Sequence, residues 1–415
     1  MRPFTFRSSF AILLLFTAFI VGISNRTGAS TLRDGAKQQA AAVVQDQHEI
    51  PESKRIQMAV LLDTSNSMDG LINQARGQIW KIVNEFAIAK GPNGQLPNFE
   101  VALFEYGNNS LDAEGGHLRM VTPFTDDLDK VSHDLFSLTT NGGQEYCGHV
   151  LKASLERLDW SDAEDDLKLI FIAGNEPYTQ GDVDPYEVAQ RAIQRSITVN
   201  TIFCGAQAQG INTGWQKGAR LADGSFINID QNIASVAVET PHDKKLAELS
   251  EKINTTYVFF GEKKDREARR RLQRIQDRAA AGGGRGVAAT RATAKAGRLY
   301  RTEDFDLVSA IQAGRVKLED VKPELLPEEL KGKSSEEIQN YLNAKSAERA
   351  QIQKEIAQLS AEREKFIAAA LAAKGEPGAE TLESAVLKAV HDQAARKNIQ
   401  FDKGKQEKTA GGKGR

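Results

Sequence analysis

The stretch "MAVLLDTSNSMDG", Met58–Gly70, decides how this chain is read. Five apolar residues run into Asp63, and Thr64, Ser65, Asn66 and Ser67 follow. A short, continuous apolar run marks a strand covered on both faces. Helical spacing then begins, with Leu71, Ile72, Ala75, Ile79, Val83 and Phe86 on one side. Asp63 therefore stands at the carboxyl end of a buried strand, where open α/β sheets bind their ligands. One carboxylate and two hydroxyls at alternate positions, Asp63, Ser65 and Ser67, are hard oxygen ligands that a turning loop can aim at one point. They suit Mg²⁺ or another hard divalent cation, which keeps waters and tolerates open positions. A helix cap would account for one of these residues. It would not account for three in alternation.

Outward from this stretch, strand patterns alternate with helical ones. Strands are expected at "FEVALFEYGN" from Phe99, "LRMVTPF" from Leu118, "LKLIFIAGN" from Leu167, "ITVNTIFCG" from Ile197 and "GSFINID" from Gly224. Helices are expected over 128–138, at "HVLKASLERL", over 184–195, and from Pro241 with Leu246, Leu249 and Ile253 on one face. The alternation predicts an α/β domain over 55–260, a doubly wound and mostly parallel sheet flanked by helices.

After Phe260 the strand signal stops, and 261–400 reads as an α-helical C-terminal region. "EKKDREARRRLQRIQDR" is basic and helical, and "AGGGRG" at Ala281–Gly286 breaks it. Its Arg269–Arg278 cluster has Glu and Asp interleaved nearby, so it reads as a solvated helix face rather than a site for an anionic polymer or lipid headgroups. Ser334 and Glu337 form a capping box. The long helix behind them carries Ile352, Ile356, Leu359, Phe366 and Ala370 at coiled-coil spacing over 334–372, with Arg363 interrupting. A final helix runs from Glu380 to about Ala395, and 401–415 is a polar, basic tail expected to be disordered. Few apolar positions serve this region, so it is expected to be a separate, more mobile unit.

The ends and the bulk composition place the chain. Arg2 and Arg7 precede the apolar run Phe10–Ile23, the pattern of a secretory signal peptide over 1–29, followed by a linker over 30–54. The run is short for a membrane span of roughly 20 residues, so an uncleaved anchor is the lesser reading. The 415 residues are 40% apolar and 27% charged, with net charge -2, so no overall field points to nucleic acid. Two cysteines, Cys147 and Cys204, are expected to form a disulfide in an exported chain. The six histidines show no zinc spacing.

Asp-x-Ser-x-Ser, with a strand before it and an amphipathic helix after it, resembles the metal-ion-dependent adhesion site of von Willebrand factor type A domains. The order of elements from 55 to 260 is similar to that fold. "EYCG", "IAGNEP", "TPHDKKLAELSEKINTTYV" and the helical tail look like the layout of a subgroup of exported bacterial proteins. The resemblance implies an ion at the top of the sheet and the binding of protein partners rather than chemistry. A partner's exposed acidic side chain would complete the ion's shell.

Two secondary positions depart from the family. Its threonine after Gly-Gly corresponds to Gln144 in "TTNGGQEYCG", with Glu145 next and Thr140 just before. Its Thr-Asp-Gly at the end of the fourth strand reads "IAGNEP", with Gly174 for the aspartate and Asn175 and Glu176 beside it. The implied metal set is thus Asp63, Ser65, Ser67, Gln144 and Glu145. Weak binding in the free protein is expected, because one acid is missing. Two other classes were weighed. One is a metal-independent envelope scaffold that binds through its C-terminal helices. The other is a hydrolase of the haloacid dehalogenase type, which needs Asp-x-Asp where this chain has Ser65. No Gly-x-Ser-x-Gly elbow and no phosphate loop ending in Gly-Lys-Ser/Thr occur.

Overall fold

The apolar runs form strands as expected. In chain order they are β1 (Arg55–Asp63), β2 (Ala89–Lys90), β3 (Asn98–Tyr106), β4 (Leu118–Thr125), β5 (Leu167–Gly174), β6 (Ile197–Cys204), β7 (Phe226–Ile229) and β8 (Gln400–Phe401). Six of them make one sheet in the order β4-β3-β1-β5-β6-β7, and β2 pairs with β8 outside it. Every neighbour in the large sheet is parallel except β4, which runs antiparallel to β3 at the edge. The computed structural model describes residues 54–401 apart from 70–71, 87–88, 92–94, 230–238, 283–284, 298 and 374–381. The expected signal peptide, the linker up to residue 53 and the tail after 401 lie outside the described residues. No helix among the described residues is long and apolar enough to cross a membrane.

β1 lies at the centre, and successive side chains feed two cores. Ile56, Met58, Val60 and Leu62 point to one face. There α1 (Ile72–Phe86) and α2 (Leu128–Ser137) cover them with Ile79, Trp80, Val83, Val131 and Leu135. Ala59 and Leu61 point to the other. That face is covered by α3 (Cys147–Arg157), α4 (Pro185–Gln194) and α6 (Trp215–Leu221), the last following the short α5 (Gln207–Asn212). Each fully buried aliphatic contributes about 1.5–3 kcal/mol, and between Arg55 and Asp63 the doubly covered strand carries one polar residue, Gln57, whose buried amide donates to Glu100 and to Asp159 O.

The two cysteines correct the expected disulfide. Both thiols are free and buried. Cys147 belongs to the core on the α3 face, whereas Cys204 belongs to the core on the α1 face. A disulfide needs Cα atoms roughly 4.4–6.8 Å apart with converging Cβ vectors, and here the side chains enter different layers.

The C-terminal helices are α7 (Asp243–Ile253), α8 (Lys263–Gly282), α9 (Arg285–Ala296), α10 (Leu307–Gln312), α11 (Ser335–Ala373) and α12 (Leu382–Arg396). They do not form a body of their own, because the described residues fall in one compact unit that begins at Ser53. Ile352 and Ile356 of α11 pack on Leu246, Leu249 and Ile253 of α7 and on Ala289 and Ala292 of α9. The coiled-coil-like stripe is thus used inside the chain. Arg363, which interrupts it, pairs with Asp243 at 2.7 Å. α12 returns to the sheet, where Val390, Ala394 and Ile399 join the α1-face core and Gln393 exchanges hydrogen bonds with Asn200.

A buried charge cluster welds these helices to the α/β layers. Arg291 on α9 reaches Asp277 on α8 at 2.6 Å and Asp129 on α2 at 3.1 Å. Lys295 adds a contact to Asp277 at 3.0 Å, and the Tyr300 hydroxyl donates to Asp129 at 2.5 Å. Removing one partner of such a buried set leaves uncompensated charge and costs about 3–5 kcal/mol. Arg291→Met is therefore expected to lower unfolding free energy by roughly that amount. In the parent protein, denaturation followed by tryptophan fluorescence and by far-UV circular dichroism should coincide, since Trp80, Trp160 and Trp215 all sit in the α/β part. Two separated transitions would show the helices to be independent.

Candidate functional site

The loops at the carboxyl ends of β1, β3 and β5 meet the loop before α3. Main-chain bonds join the ends of β1 and β3 to the loop before α3. Thr64 N–H donates to Tyr106 O (2.9 Å), Asn66 N–H to Gly142 O (3.0 Å) and Asn141 N–H to Thr64 O (3.0 Å). Gly107 has φ 76° and Gly143 has φ 147°. A Cβ on Gly143 would lie 1.6 Å from Gly107 O, so the two loops pack backbone against backbone where only glycine fits.

Asp63, Ser65 and Ser67 step from the interior to the surface. Asp63 and Ser65 are buried, while Ser67 is exposed. Asp63 Oδ1 accepts the Ser65 N–H at 2.8 Å. The Ser65 and Ser67 hydroxyls are 2.7 Å apart. Ser67 Oγ donates to Asn175 Oδ1 at 2.9 Å, and Asn175 Nδ2 donates back to Ser67 O at 3.0 Å. Glu145 is also buried, although it belongs to a loop at the mouth of the site. Its N–H donates to Gln180 Oε1 at 3.0 Å. Gln144 is exposed and accepts from the Tyr146 hydroxyl. Thr140 donates to Asp69. Of the residues expected from sequence, the structure brings together Asp63, Ser65, Ser67 and Glu145, and it turns the Gln144 amide to Tyr146. An open depression of ≈ 380 Å³ adjoins them, with Ser67, Gly143, Glu145, Glu176 and Gln180 among its lining residues.

The electrostatics are unusual for a loop site. Burial pushes the Asp63 carboxyl up to about 8 against the Ser65 amide, and Glu145 and Glu176 add to the rise. Glu145 is raised too, first by burial, with the Ser65 hydroxyl opposing and Glu176 adding. Among the described residues no cation pairs with either acid. Asp63 Oδ2 is buried with no hydrogen-bond partner. A buried acceptor left unmade costs about 1–3 kcal/mol, which a proton or a hard cation would offset. The donors present fit such an ion, namely an orphaned carboxylate oxygen, two converging hydroxyls and a second carboxylate beside them. Among the described residues no group of three His, Cys, Asp or Glu is placed to hold a metal. An ion here therefore depends on the serine hydroxyls and water as well as carboxylate.

Sequence reasoning missed Tyr106. Its hydroxyl donates to Ala173 O at 3.0 Å and lies 3.6 Å from Cys147 Sγ. It fills the space that an acid at position 174 would need, since a Cβ on Gly174 would sit 2.5 Å from it and 3.0 Å from the Trp215 ring. Position alone gave no signal, because Tyr106 ends an apolar run like any core residue. Asn175 was noted only as a neighbour of Gly174, and its clamp on Ser67 needs the fold.

Two outcomes are expected here. In the metal-free protein the folded state holds the Asp63 proton up to about pH 8, while the unfolded chain releases it near 3.8. Between those values the native state binds more protons, so stability falls as pH rises. Asp63→Asn should remove this slope in urea unfolding with EDTA, and equal slopes in both proteins would refute the assignment. Gly174→Asp should destabilise by about 1–3 kcal/mol through overpacking. Tyr106→Phe in the same chain should recover part of the loss, and independent, additive effects would contradict the steric account.

The sequence profile of the von Willebrand factor type A domain matches residues 57–214. Solved structures similar to the chain share 15% identity or less and TM-scores near 0.33. One is BatB from Bacteroides thetaiotaomicron, with 15% identity over 42% of this chain and 90% of that one, at TM-score 0.33. The SpRpn10 VWA domain has 14% identity over 42% and 88%, at TM-score 0.33. Proximal thread matrix protein 1 from the mussel byssus, with a zinc-occupied adhesion motif, has 13% identity over 44% and 43%, at TM-score 0.32. No curated protein matches the chain in sequence. With the mostly parallel sheet, the covering helices and Asp63-x-Ser65-x-Ser67 at the strand end, residues 57–214 are a von Willebrand factor type A domain.

Proposed function

We propose that this chain is an exported, non-enzymatic protein-binding module that engages its partner through a divalent ion. Asp63, Ser65 and Ser67 would hold Mg²⁺ or a similar hard cation, with Gln144 and Glu145 in the adjoining loop. The observation that carries this reading is the buried, unpartnered Asp63 Oδ2 beside two converging serine hydroxyls. When bound, the ion supplies a positive centre for an exposed acidic side chain of the partner. Asp63 anchors it, the serines orient it, and the packed Gly107 and Gly143 backbones keep bulk water to the open side. Loss of the acid at position 174 supports weak binding in the free protein, because hard-ion affinity follows ligand charge.

Export rests on the basic and apolar residues 1–29, read as a signal peptide ahead of the linker. The C-terminal helices act as a brace in this reading. Their apolar stripe is already covered by α7 and α9, which argues against a free binding arm.

Calorimetric titration with Mg²⁺ and Mn²⁺ tests the proposal. Asp63→Ala should abolish binding, and Ser65→Ala should weaken it roughly 10-fold. A parent protein that shows no saturable ion uptake would remove the adhesion reading and leave the scaffold one.

A further inference from the structure

We infer that Glu145 is an internal ligand: in the resting protein its carboxylate occupies the position on the ion that a partner's acidic side chain takes, so a partner must displace it. This rests on the metal reading above.

Three observations carry it. First, Glu145 is 5% exposed although its neighbour Gln144 is exposed and an open depression begins beside it. A glutamate with solvent one rotamer away does not turn inward without compensation. Secondly, it turns toward Asp63. A Cβ on Gly107 would lie 2.9 Å from Glu145 Cγ and 2.6 Å from Asp63 Oδ1, so the two acids flank the same bare glycine. Thirdly, no lysine, arginine or histidine among the described residues pairs with either acid, and Asp63 Oδ2 is buried and unpartnered. Two acids side by side at Gly107, with no cation beside them and one of them carrying an unpartnered oxygen, are arranged for a shared cation.

The charge count then sets what the site accepts. Asp63 and Glu145 together neutralise a dication. A third carboxylate from outside would gain little attraction and would also meet Glu176, which lines the same depression. Once Glu145 leaves, the ion regains a net charge and an open position. The backbone permits that departure. Gly142 (φ 45°) and Gly143 (φ 147°) lie three and two residues before Glu145 and hold conformations that favour glycine. Gln180 holds the Glu145 N–H, and the Ser65 hydroxyl is the side-chain group that favours its carboxylate form. Glu145 thus sets the threshold for partner capture, and it explains how a site short of one family acid still balances its ion.

The test uses the full chain, Mn²⁺ as the metal and acetate as the carboxylate. Mn²⁺ affinity and the number of fast-exchanging waters on bound Mn²⁺ are read by electron paramagnetic resonance and water-proton relaxation. Glu145→Gln keeps shape and polarity, and Glu145→Ala is the second variant. Both should weaken Mn²⁺ binding by roughly 10-fold or more and add one exchanging water. Acetate should displace a water in both variants and leave the parent unchanged. Unchanged affinity and hydration in the variants, or equal acetate binding to the parent, overturns this inference alone. A parent that takes up no Mn²⁺ overturns the metal reading and this inference with it.

Discussion

A buried acid, Asp63, at the end of a doubly covered strand is the constraint on which the site depends. Asp63 has to be buried because β1 is central and its neighbours β3 and β5 run on either side of it. Its carboxylate satisfies one oxygen on the Ser65 amide and leaves the other without a partner. Three loops close over it by main-chain bonds, which water cannot easily enter or break. Burial of that kind works against a charge. The loops therefore hold a strained electrostatic state that a proton or a cation relieves, and Glu145 sharpens it by lying alongside.

The C-terminal helices serve the same centre from a distance. Arg291 joins Asp129 of α2 to Asp277 of α8, and α2 packs directly on the sheet. Arg349 of α11 reaches Asp306 at 2.7 Å and Thr256 O at 2.7 Å. α12 comes back to β7 and to the face that α1 covers. Buried ion pairs contribute little net stability against an apolar alternative, but they tolerate few other arrangements. Their effect is to fix where each helix sits.

The departures from the family pattern read as coordinated. A side chain at position 174 would meet the Tyr106 hydroxyl and the Trp215 ring, so the end of β5 has no room for an acid there. The acids that act on Asp63 are Glu145, in the loop before α3 with glycines just ahead of it, and Glu176 after β5.

Much of the fold was written in local pattern. Each strand of the large sheet is an apolar run or an alternating one, and the Ser334–Glu337 capping box forms as read, with Ser334 N–H on Glu337 Oε2 at 2.8 Å. The placement of Asp63, Ser65 and Ser67 at the strand end also followed from periodicity, since strand and helix patterns meet there without a gap. What only the tertiary structure decided were matters of facing and distance. Cys147 and Cys204 lie near the same end of the sheet but enter opposite cores, and strand alternation across a remote pair is invisible without the register. The charged positions of 261–400 looked solvated, yet Arg291, Lys295 and Asp277 are buried, because their partners come from elements far away in the chain. Glu145 packs against Gly107, a residue 38 positions earlier in the sequence. Local physics writes the elements, whereas long-range packing settles which charges meet.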